Sequence, residues 1–288
     1  MTLGKLPRIN ISLFSSKNGR NPLYIILGLY NKKCACGIDL SQKAGYNISK
    51  RKVRKMILYF TGTGNAKYIA EKIANVTGDE TKNIVAYTRD NEKFLQGDGE
   101  RLVLVSPVYY WGIPESVKGF LKTLKTAGRY FAIVLECGGS TGNAQGVCER
   151  YVRPDAVFGV VAVDNFCPMF KIESAEETEK RLDALDAKIA VIADKIRNEE
   201  KGDFNAEKGS FYKLNTALLY PIYEKFGGRK TKFSASDDCV NCGLCESICP
   251  VSAIKIENGK PVWTKKSAIC VWGVCQDARK TQSRLRSL

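Results

Sequence analysis

Short apolar runs alternate with amphipathic stretches between residues 56 and 200. Five runs have the length and composition of strands, because each is apolar and bounded by polar or glycine-containing segments. They are 56–60, 83–87, 101–106, 130–135 and 156–163. Between them, apolar side chains recur at helical spacing, as at Ile69 and Ile73. This alternation predicts an α/β fold, a doubly wound parallel sheet of five strands in the order 2-1-3-4-5.

The pattern changes after the fifth predicted strand. Ser174 and Glu177 form an S-x-x-E capping box ahead of an apolar stripe, which predicts a long helix over 174–198. An aromatic-rich segment and a Gly-Gly hinge follow, and near the C-terminus Asn258-Gly259 lies between two short apolar stretches, a strong hairpin signal. We therefore divide the chain into a first domain at 56–200, a helical docking segment at 201–232 and a small domain at 233–288.

A glycine- and hydroxyl-rich loop joins the first predicted strand to the first predicted helix. Its residues are Thr61, Gly62, Thr63, Gly64 and Asn65. Backbone N–H groups at a helix N-terminus favour a phosphate, and the two hydroxyls and the Asn side chain add neutral donors. The loop lacks the Lys of a Walker motif, and Lys67 stands where G-x-G-x-x-G would need its third Gly. The phosphate of FMN therefore fits better than ATP or NAD, and a plain turn of small residues is the alternative.

Two further loops are expected at the same edge of the sheet. Tyr109, Tyr110 and Trp111 follow the third predicted strand, and Cys137, Gly138 and Gly139 follow the fourth. Open α/β sheets bind ligands beyond the carboxyl ends of their strands, and aromatic faces suit stacking against a planar ring. The alternative is that the aromatic side chains belong to the core.

The segment 238–254 contains a run of cysteines at metal-cluster spacing. Cys239, Cys242, Cys245 and Cys249 form C-x2-C-x2-C-x3-C, and Pro250 follows directly. This is the bacterial binding sequence for a [4Fe-4S] cluster. The alternatives are a disulfide pair or a zinc site, but zinc usually needs two separated C-x2-C pairs and the chain has no His.

Charge and cysteine content limit the remaining possibilities. The 288 residues carry a formal net charge of +15, but 1–55 holds 12 Lys and Arg against one acid, Asp39, so that the rest of the chain is close to balanced. We expect 1–55 to be a basic, poorly ordered extension, and its apolar run at 23–30 is too short to span a membrane. Eleven cysteines without a secretory signal indicate reduced thiols and a cytoplasmic location. The absence of His excludes His-based catalysis, and no catalytic residue is assigned.

These motifs together resemble a known pair of domains. Residues 56–165 resemble flavodoxins in the loop at 61–65, in SPVYYWGIP at 106–114 and in ECGG at 136–139, and 233–263 resembles a bacterial ferredoxin. In this order they are similar to the fused flavodoxin–ferredoxin, or ferrodoxin, family of anaerobic bacteria. The resemblance implies that the loop at 61–65 holds the FMN phosphate, and it assigns the remaining flavin-binding positions. Tyr110 and Trp111 would flank the isoalloxazine, Gly112 of the same loop would also bind the cofactor, and Gly138 and Gly139 would line its edge.

The chain departs from that family in its cysteines. The family carries two four-cysteine motifs, whereas this chain has one, followed by Cys270 and Cys275 alone. In two-cluster ferredoxins the fourth Cys of each motif binds the other cluster. Whether Cys249, Cys270 or Cys275 completes the remaining site is therefore left open, as is a second cluster.

The tail offers one explanation of this departure. Permitted codons for 271–283, translated after a shift of two bases, encode Met-Gly-Cys-Leu-Ser-Gly-Cys-Pro-Lys-Asp-Ala-Ile, which continues a four-cysteine motif from Cys270, although Ser267 replaces its first Cys. We predict a frameshift here, and a divergent single-cluster tail is the alternative. Reading the nucleotides of codons 267–283 tests the prediction, and codons that give no Cys-Pro in the shifted frame would end it.

The motifs predict an electron-transfer protein that carries a [4Fe-4S] cluster and FMN and meets redox partner proteins. One alternative is a flavin-dependent reductase of a small acceptor in which the cluster receives the electrons. Another is a module that binds nucleic acid or a membrane surface through the basic segment 1–55. The electron donor, the acceptor and the oligomeric state do not follow from the sequence.

Overall fold

The computed structural model describes residues 55–90, 101–126, 128–164, 173–226, 235 and 239–264. The chain divides into two compact units, 1–51 and 52–288, and the described residues all belong to the second. The predicted extension, apart from Lys55, lies outside these ranges. The predicted frameshift at 267–283 also lies outside them, together with Cys270 and Cys275.

Among the described residues, six parallel strands form one sheet in the order β2-β1-β3-β4-β5-β6. The strands are β1 Lys55–Tyr59, β2 Glu80–Asn83, β3 Arg101–Pro107, β4 Tyr130–Cys137, β5 Ala156–Val161 and β6 Gly202–Phe204. The central strands β3 and β4 are buried along their whole length, as expected for a parallel sheet covered on both faces. The predicted strand order is confirmed and extended by β6.

Helices cover both faces of the sheet. The helices are α1 Asn65–Thr77, α2 Val85–Thr88, α3 Glu115–Thr123, α4 Ala144–Glu149, α5 Ala175–Arg197, α6 Tyr212–Phe226 and α7 Leu244–Ile248. One core lies between the sheet and α1 and α5, and the other core includes residues of α3, α4 and α6. The capping box that opens α5 is present, with Ser174 Oγ accepting from Glu177 N at 3.2 Å.

The second strand differs from its prediction at 83–87. β2 comprises Glu80–Asn83, and the apolar pair Ile84 and Val85 begins the short helix α2 and is buried. β2 lies at the edge of the sheet, where backbone pairing to β1 suffices and a polar strand is tolerated. The apolar signal therefore marked the buried turn after the strand.

The sixth strand corrects the predicted start of the docking segment at 201. β6 has three residues, pairs with β5 from Ala156 to Phe158, and stacks Phe204 on Phe158 with 5.2 Å between ring centroids. A three-residue strand that contains Gly202 carries no alternating pattern. Residues 202–204 thus belong to the sheet.

A buried ion pair joins elements at the amino-terminal edge of the sheet. Arg101, the first residue of β3, donates to both carboxylate oxygens of Asp79 at 2.9 and 2.7 Å. Its remaining nitrogen donates to the carbonyls of Ile196 and Arg197 at the end of α5, both at 3.1 Å. These bonds provide partners for carbonyl groups at the end of α5. The loops described below lie at the opposite, carboxyl-terminal edge of the sheet.

Within residues 239–264, the structure shows α7 and a hairpin. The hairpin strands are β7 Ile254–Glu257 and β8 Lys260–Trp263. Asn258 and Gly259 form its turn with φ of 49° and 77°, which confirms the predicted Asn-Gly hairpin. Glu246 of α7 accepts from Ile256 N at 3.1 Å and so ties the helix to β7.

Over the described residues, no helix combines the length and the hydropathy that a membrane span requires.

Candidate functional site

Three loops meet at the carboxyl-terminal edge of the sheet. They follow β1, β3 and β4, and because the strands are parallel their carboxyl ends lie side by side. The first is the glycine-rich loop at 61–65, the second is the aromatic loop at 108–114, and the third is the glycine loop at 138–143. The structure thus brings together the residues predicted to bind FMN.

The glycine-rich loop closes on itself just ahead of α1. Gly64 N donates to Thr61 Oγ1 at 2.9 Å, and Gly64 has a φ of 114° that only glycine adopts without strain. α1 then begins at Asn65, so its first backbone N–H groups have no acceptor within the helix. This geometry suits an anion at the start of a 13-residue helix.

Asn65 has a role that the sequence did not indicate. Its side-chain nitrogen donates to Glu136 Oε1 at 3.0 Å and to the Val163 carbonyl at 2.9 Å. Both amide hydrogens are therefore used inside the protein, since a primary amide has two. The side chain ties the glycine-rich loop to β4 and β5, and only the backbone N–H of Asn65 is suited to a phosphate.

Glu136 is a buried carboxyl group at this edge, with 7% of its surface exposed. Burial raises its pKa to about 7, the hydrogen bond from Asn65 opposes the rise, and the Asp164 carboxylate adds to it. The neighbouring Cys137 is also buried, and burial raises the pKa of its thiol to about 12. The Cys137 thiol is therefore neutral and acts as a packing group near neutral pH.

The aromatic loop is a strained turn. Tyr110 and Trp111 both have positive φ, 50° and 62°, and Tyr109 and Gly112 exchange backbone hydrogen bonds of 2.9 and 3.0 Å around them. Trp111 Nε1 donates to Ser140 Oγ at 2.9 Å, which links this loop to the glycine loop. Positive φ at two consecutive aromatic residues costs free energy and needs outside support.

Helix α6 supplies that support. Thr216 accepts from Asn143 N at 2.9 Å and donates to the Trp111 carbonyl at 3.3 Å, so that one hydroxyl joins the two loops. Tyr220 donates to the Ile113 carbonyl at 2.7 Å. Tyr223 stacks on Tyr110, with 4.6 Å between the ring centroids.

These contacts make α6 part of the site. From the sequence, this region was predicted only as an aromatic-rich docking segment, and no pattern indicated a role for Thr216. Tyr223 covers one face of the Tyr110 ring.

The four predicted cluster ligands lie on a loop and a short helix in the C-terminal part. Cys239 and Cys245 are half-buried, Cys242 is exposed and Cys249 is buried. Gly243 has a φ of 72° where the loop turns into α7, and Ala253 N donates to Cys249 Sγ at 3.2 Å. Burial raises the pKa of the Cys245 thiol, and the nearby Cys239 and Cys242 thiols add to the rise.

The donor chemistry of this segment fits an iron–sulfur cluster. Four thiols on one turning loop are the ligand set of a [4Fe-4S] group, and N–H donation to a ligand sulfur is one of the contacts that tune such clusters. Within the ranges that the structure describes, no three His, Cys, Asp or Glu side chains are placed to hold a single metal ion. Cys148 is a buried residue of α4 and behaves as a packing residue, as predicted, whereas Cys167 lies outside those ranges.

Two family models match separate parts of the chain. The model described as a flavodoxin domain matches residues 56–146, and the model described as a 4Fe-4S binding domain matches residues 236–255. Both likenesses predicted from the sequence are therefore confirmed over these ranges. The narrower assignment to a fusion family of anaerobic bacteria stays a prediction.

Two curated ferredoxins are similar to this chain over short stretches. A ferredoxin of Streptomyces griseus is 45% identical over 40 residues, which are 14% of this chain and 35% of that protein. An uncharacterized ferredoxin of Methanocaldococcus jannaschii is 47% identical over 30 residues, 10% of this chain and 48% of that protein. The chain thus spans less than half the length of either relative.

Solved structures of flavoproteins are also similar to this chain. A flavoprotein of Lactobacillus acidophilus in complex with FMN shares 17% identity, covers 38% of this chain and 91% of its own, and has a TM-score of 0.31. A flavodoxin from the domain Archaea shares 15% identity, covers 49% and 99%, and also has a TM-score of 0.31.

Proposed function

We propose that this chain, which joins a flavodoxin domain to a C-terminal 4Fe-4S ferredoxin-type domain, relays electrons between a [4Fe-4S] cluster and FMN. The observation that carries the proposal is the presence of both ligand sets in one compact unit. Three loops that suit a flavin lie at one sheet edge, and a four-cysteine loop contacts the same domain through Arg89. The cluster would exchange single electrons, whereas FMN accepts them singly and releases them in pairs.

Each loop of the flavodoxin domain has a separate task in this proposal. The first turn of α1 binds the phosphate through backbone N–H groups. Trp111 and Tyr110 pack against the ring, and Gly138 and Gly139 allow its edge to approach the backbone. Asn65 and Glu136 hold the glycine-rich loop against β4.

The C-terminal domain would bind the cluster through Cys239, Cys242, Cys245 and Cys249. The hairpin packs Ile254 and Trp263 against Cys249 and so keeps water from one side of the loop. Apart from these four cysteines, the described residues include no group of His, Cys, Asp or Glu side chains that could bind a second cluster. Redox partner proteins and a cytoplasmic location belong to the proposal, the latter supported by the eleven cysteines.

The decisive experiment is purification without oxygen, followed by iron, sulfide and flavin analysis. Rapid reduction of the cluster, followed in a stopped-flow spectrometer, should then reduce the flavin at a rate independent of protein concentration, because both groups lie in one chain. A concentration-dependent rate would contradict an internal relay. Fast turnover with a quinone or nitro compound would favour the reductase instead.

Gly64→Val tests the flavin-binding loop. Valine at a φ of 114° is strained, so the loop backbone is expected to rearrange and move its N–H groups away from the phosphate. We expect FMN affinity to fall about tenfold or more, measured by quenching of flavin fluorescence.

Gly128→Val is the matched control. Gly128 also has positive φ and open space around its Cβ position, but it precedes β4 at the opposite edge of the sheet. The Gly128→Val variant should be less stable than the wild-type protein but should bind FMN with the same affinity. Full flavin occupancy in Gly64→Val would show that the loop is assigned wrongly.

A further inference from the structure

Arg89 joins the flavodoxin domain to the four-cysteine loop. It follows α2, six residues after the last residue of β2. Its Nη1 atom donates to the carbonyl of Ser247 and to that of Cys249, both at 3.0 Å. These partners lie about 160 residues away in the sequence.

Asp90 orients the guanidinium. Arg89 Nε donates to Asp90 Oδ1 at 2.6 Å and Nη2 donates to Oδ2 at 3.0 Å, a two-point contact that leaves Nη1 directed at the loop. The carboxylate and the two carbonyls thus occupy different sides of one planar group. A lysine has a single nitrogen and could not make this set of contacts.

The two carbonyls lie at the C-terminal end of α7, and that of Cys249 also accepts from Ser252 N at 3.3 Å. Ser247 belongs to the last turn of α7 and Cys249 directly follows the helix, and carbonyls at a helix end lack intrahelical partners. Cys249 itself is fully buried. Arg89 of the flavodoxin domain therefore donates hydrogen bonds to the C-terminal end of α7, next to a predicted cluster ligand.

We propose that Arg89 holds the four-cysteine loop on the flavodoxin domain and that its charge favours the reduced form of the cluster. We call Arg89, Asp90 and the carbonyls of Ser247 and Cys249 the Arg89 latch. Reduction adds one electron to the cluster, and a cation on the backbone of a ligand stabilises that added negative charge. Asp90 offsets part of the charge, but it lies on the side of the guanidinium away from the loop.

The location of the latch gives it a second consequence. Ile84, which starts the chain toward α2, donates its N–H to the Tyr59 carbonyl at 2.9 Å, at the end of β1. β1 leads directly into the glycine-rich loop. The latch therefore fixes the four-cysteine loop beside the carboxyl edge of the sheet, where the flavin loops also lie.

The first arm of the test needs no cofactor. In the full-length, cluster-free protein, iodoacetamide labelling of each cysteine is followed by peptide mass spectrometry. We expect Arg89→Gln to raise the labelling rate of buried Cys249 about tenfold, because a charge-assisted contact is lost, while exposed Cys242 serves as an internal reference. Arg197→Gln is the matched control, since Arg197 forms a 2.7 Å pair with Asp194 on α5.

The second arm separates charge from geometry in the cluster-loaded protein. Arg89→Gln should lower the midpoint potential, and a tenfold loss in the ratio of reduced to oxidised cluster corresponds to 59 mV for one electron. Arg89→Lys keeps the positive charge but loses the several donor nitrogens of the guanidinium. Its Cys249 should therefore be labelled as fast as in Arg89→Gln, while the midpoint potential of its cluster stays closer to that of the wild-type protein.

Two outcomes would overturn the proposal. If Cys249 is labelled in Arg89→Gln as slowly as in the wild-type protein, the mechanical role is refuted. If the cluster of Arg89→Gln has the same midpoint potential as that of Arg197→Gln, the electrostatic role is refuted. The electrostatic role rests on the proposed function, whereas the mechanical role does not. Failure of the unmodified chain to take up a cluster would therefore count against the proposed function, and the labelling arm would still decide on the latch.

Discussion

Cys242→Ala, purified without oxygen, should contain iron and sulfide only at background level. Cys242 is the second ligand of the C-x2-C-x2-C-x3-C run, and a [4Fe-4S] cluster that loses one of four thiolates is no longer held at full coordination. The side chain is exposed, so its removal leaves no cavity and the fold should persist. Iron and sulfide assays, with the visible absorption spectrum, measure the effect.

The control for this variant is Cys148→Ala. Cys148 is a buried residue of α4 whose Sγ lies 3.8 Å from the Val152 carbonyl, and its removal should cost stability without reducing the cluster content. Cys239→Ala and Cys245→Ala should behave like Cys242→Ala. An undiminished cluster in Cys242→Ala would contradict the ligand assignment.

Glu136→Gln should make the protein more stable at pH 8 and change the pH dependence of its stability. The pKa of Glu136 is raised from 4.5 to about 7 by burial. Below about pH 4.5 the carboxyl group is therefore protonated in both the folded and the unfolded protein. As the pH rises from 4.5 toward 7, the group ionises in the unfolded protein but stays protonated in the folded one, so the folded state loses stability. A shift of this size corresponds to about 3 kcal/mol of unfolding free energy.

Glutamine keeps the acceptor for Asn65 Nδ2 and carries no charge. We expect the variant to match the unmodified protein near pH 4.5 and to exceed it by about 3 kcal/mol at pH 8. Urea denaturation of the cofactor-free protein at several pH values measures the difference, in which contributions from other titrating groups cancel. Glu149→Gln, an exposed residue of α4, is the control. A difference that does not change with pH would contradict a neutral Glu136.

The buried parts of the fold could be predicted from the sequence. β1, β3, β4 and β5 are covered on both faces, so their apolar runs are continuous, and the capping box of α5 and the Asn-Gly hairpin are local signals. The edge strands were missed or misplaced, because β2 is polar and β6 has three residues. Their positions are set by backbone pairing with β1 and β5, which leaves no periodic pattern.

The loops of the candidate site could be predicted for a different reason. Glycines and cysteines at fixed spacing report a local geometry, and the loops at 61–65 and 239–249 follow from it. Contacts between distant residues do not. The donation of Asn65 to Glu136 and that of Arg89 to Cys249 depend on the packing of separate elements, and no short segment contains both partners.

The dependence of the aromatic loop on α6 sets an order of events during synthesis. Thr216 bonds to Trp111, and Tyr220 to Ile113, across 105 and 107 residues of sequence. At about 5–20 residues per second, a ribosome needs roughly 5–20 s to make a stretch of that length. Meanwhile β1 to β5 can already pair, but Tyr110 and Trp111 lack the contacts that hold their strained conformation. A nascent chain stopped before α6 would therefore carry an assembled sheet with an immature aromatic loop, and flavin uptake would be among the last steps of its maturation.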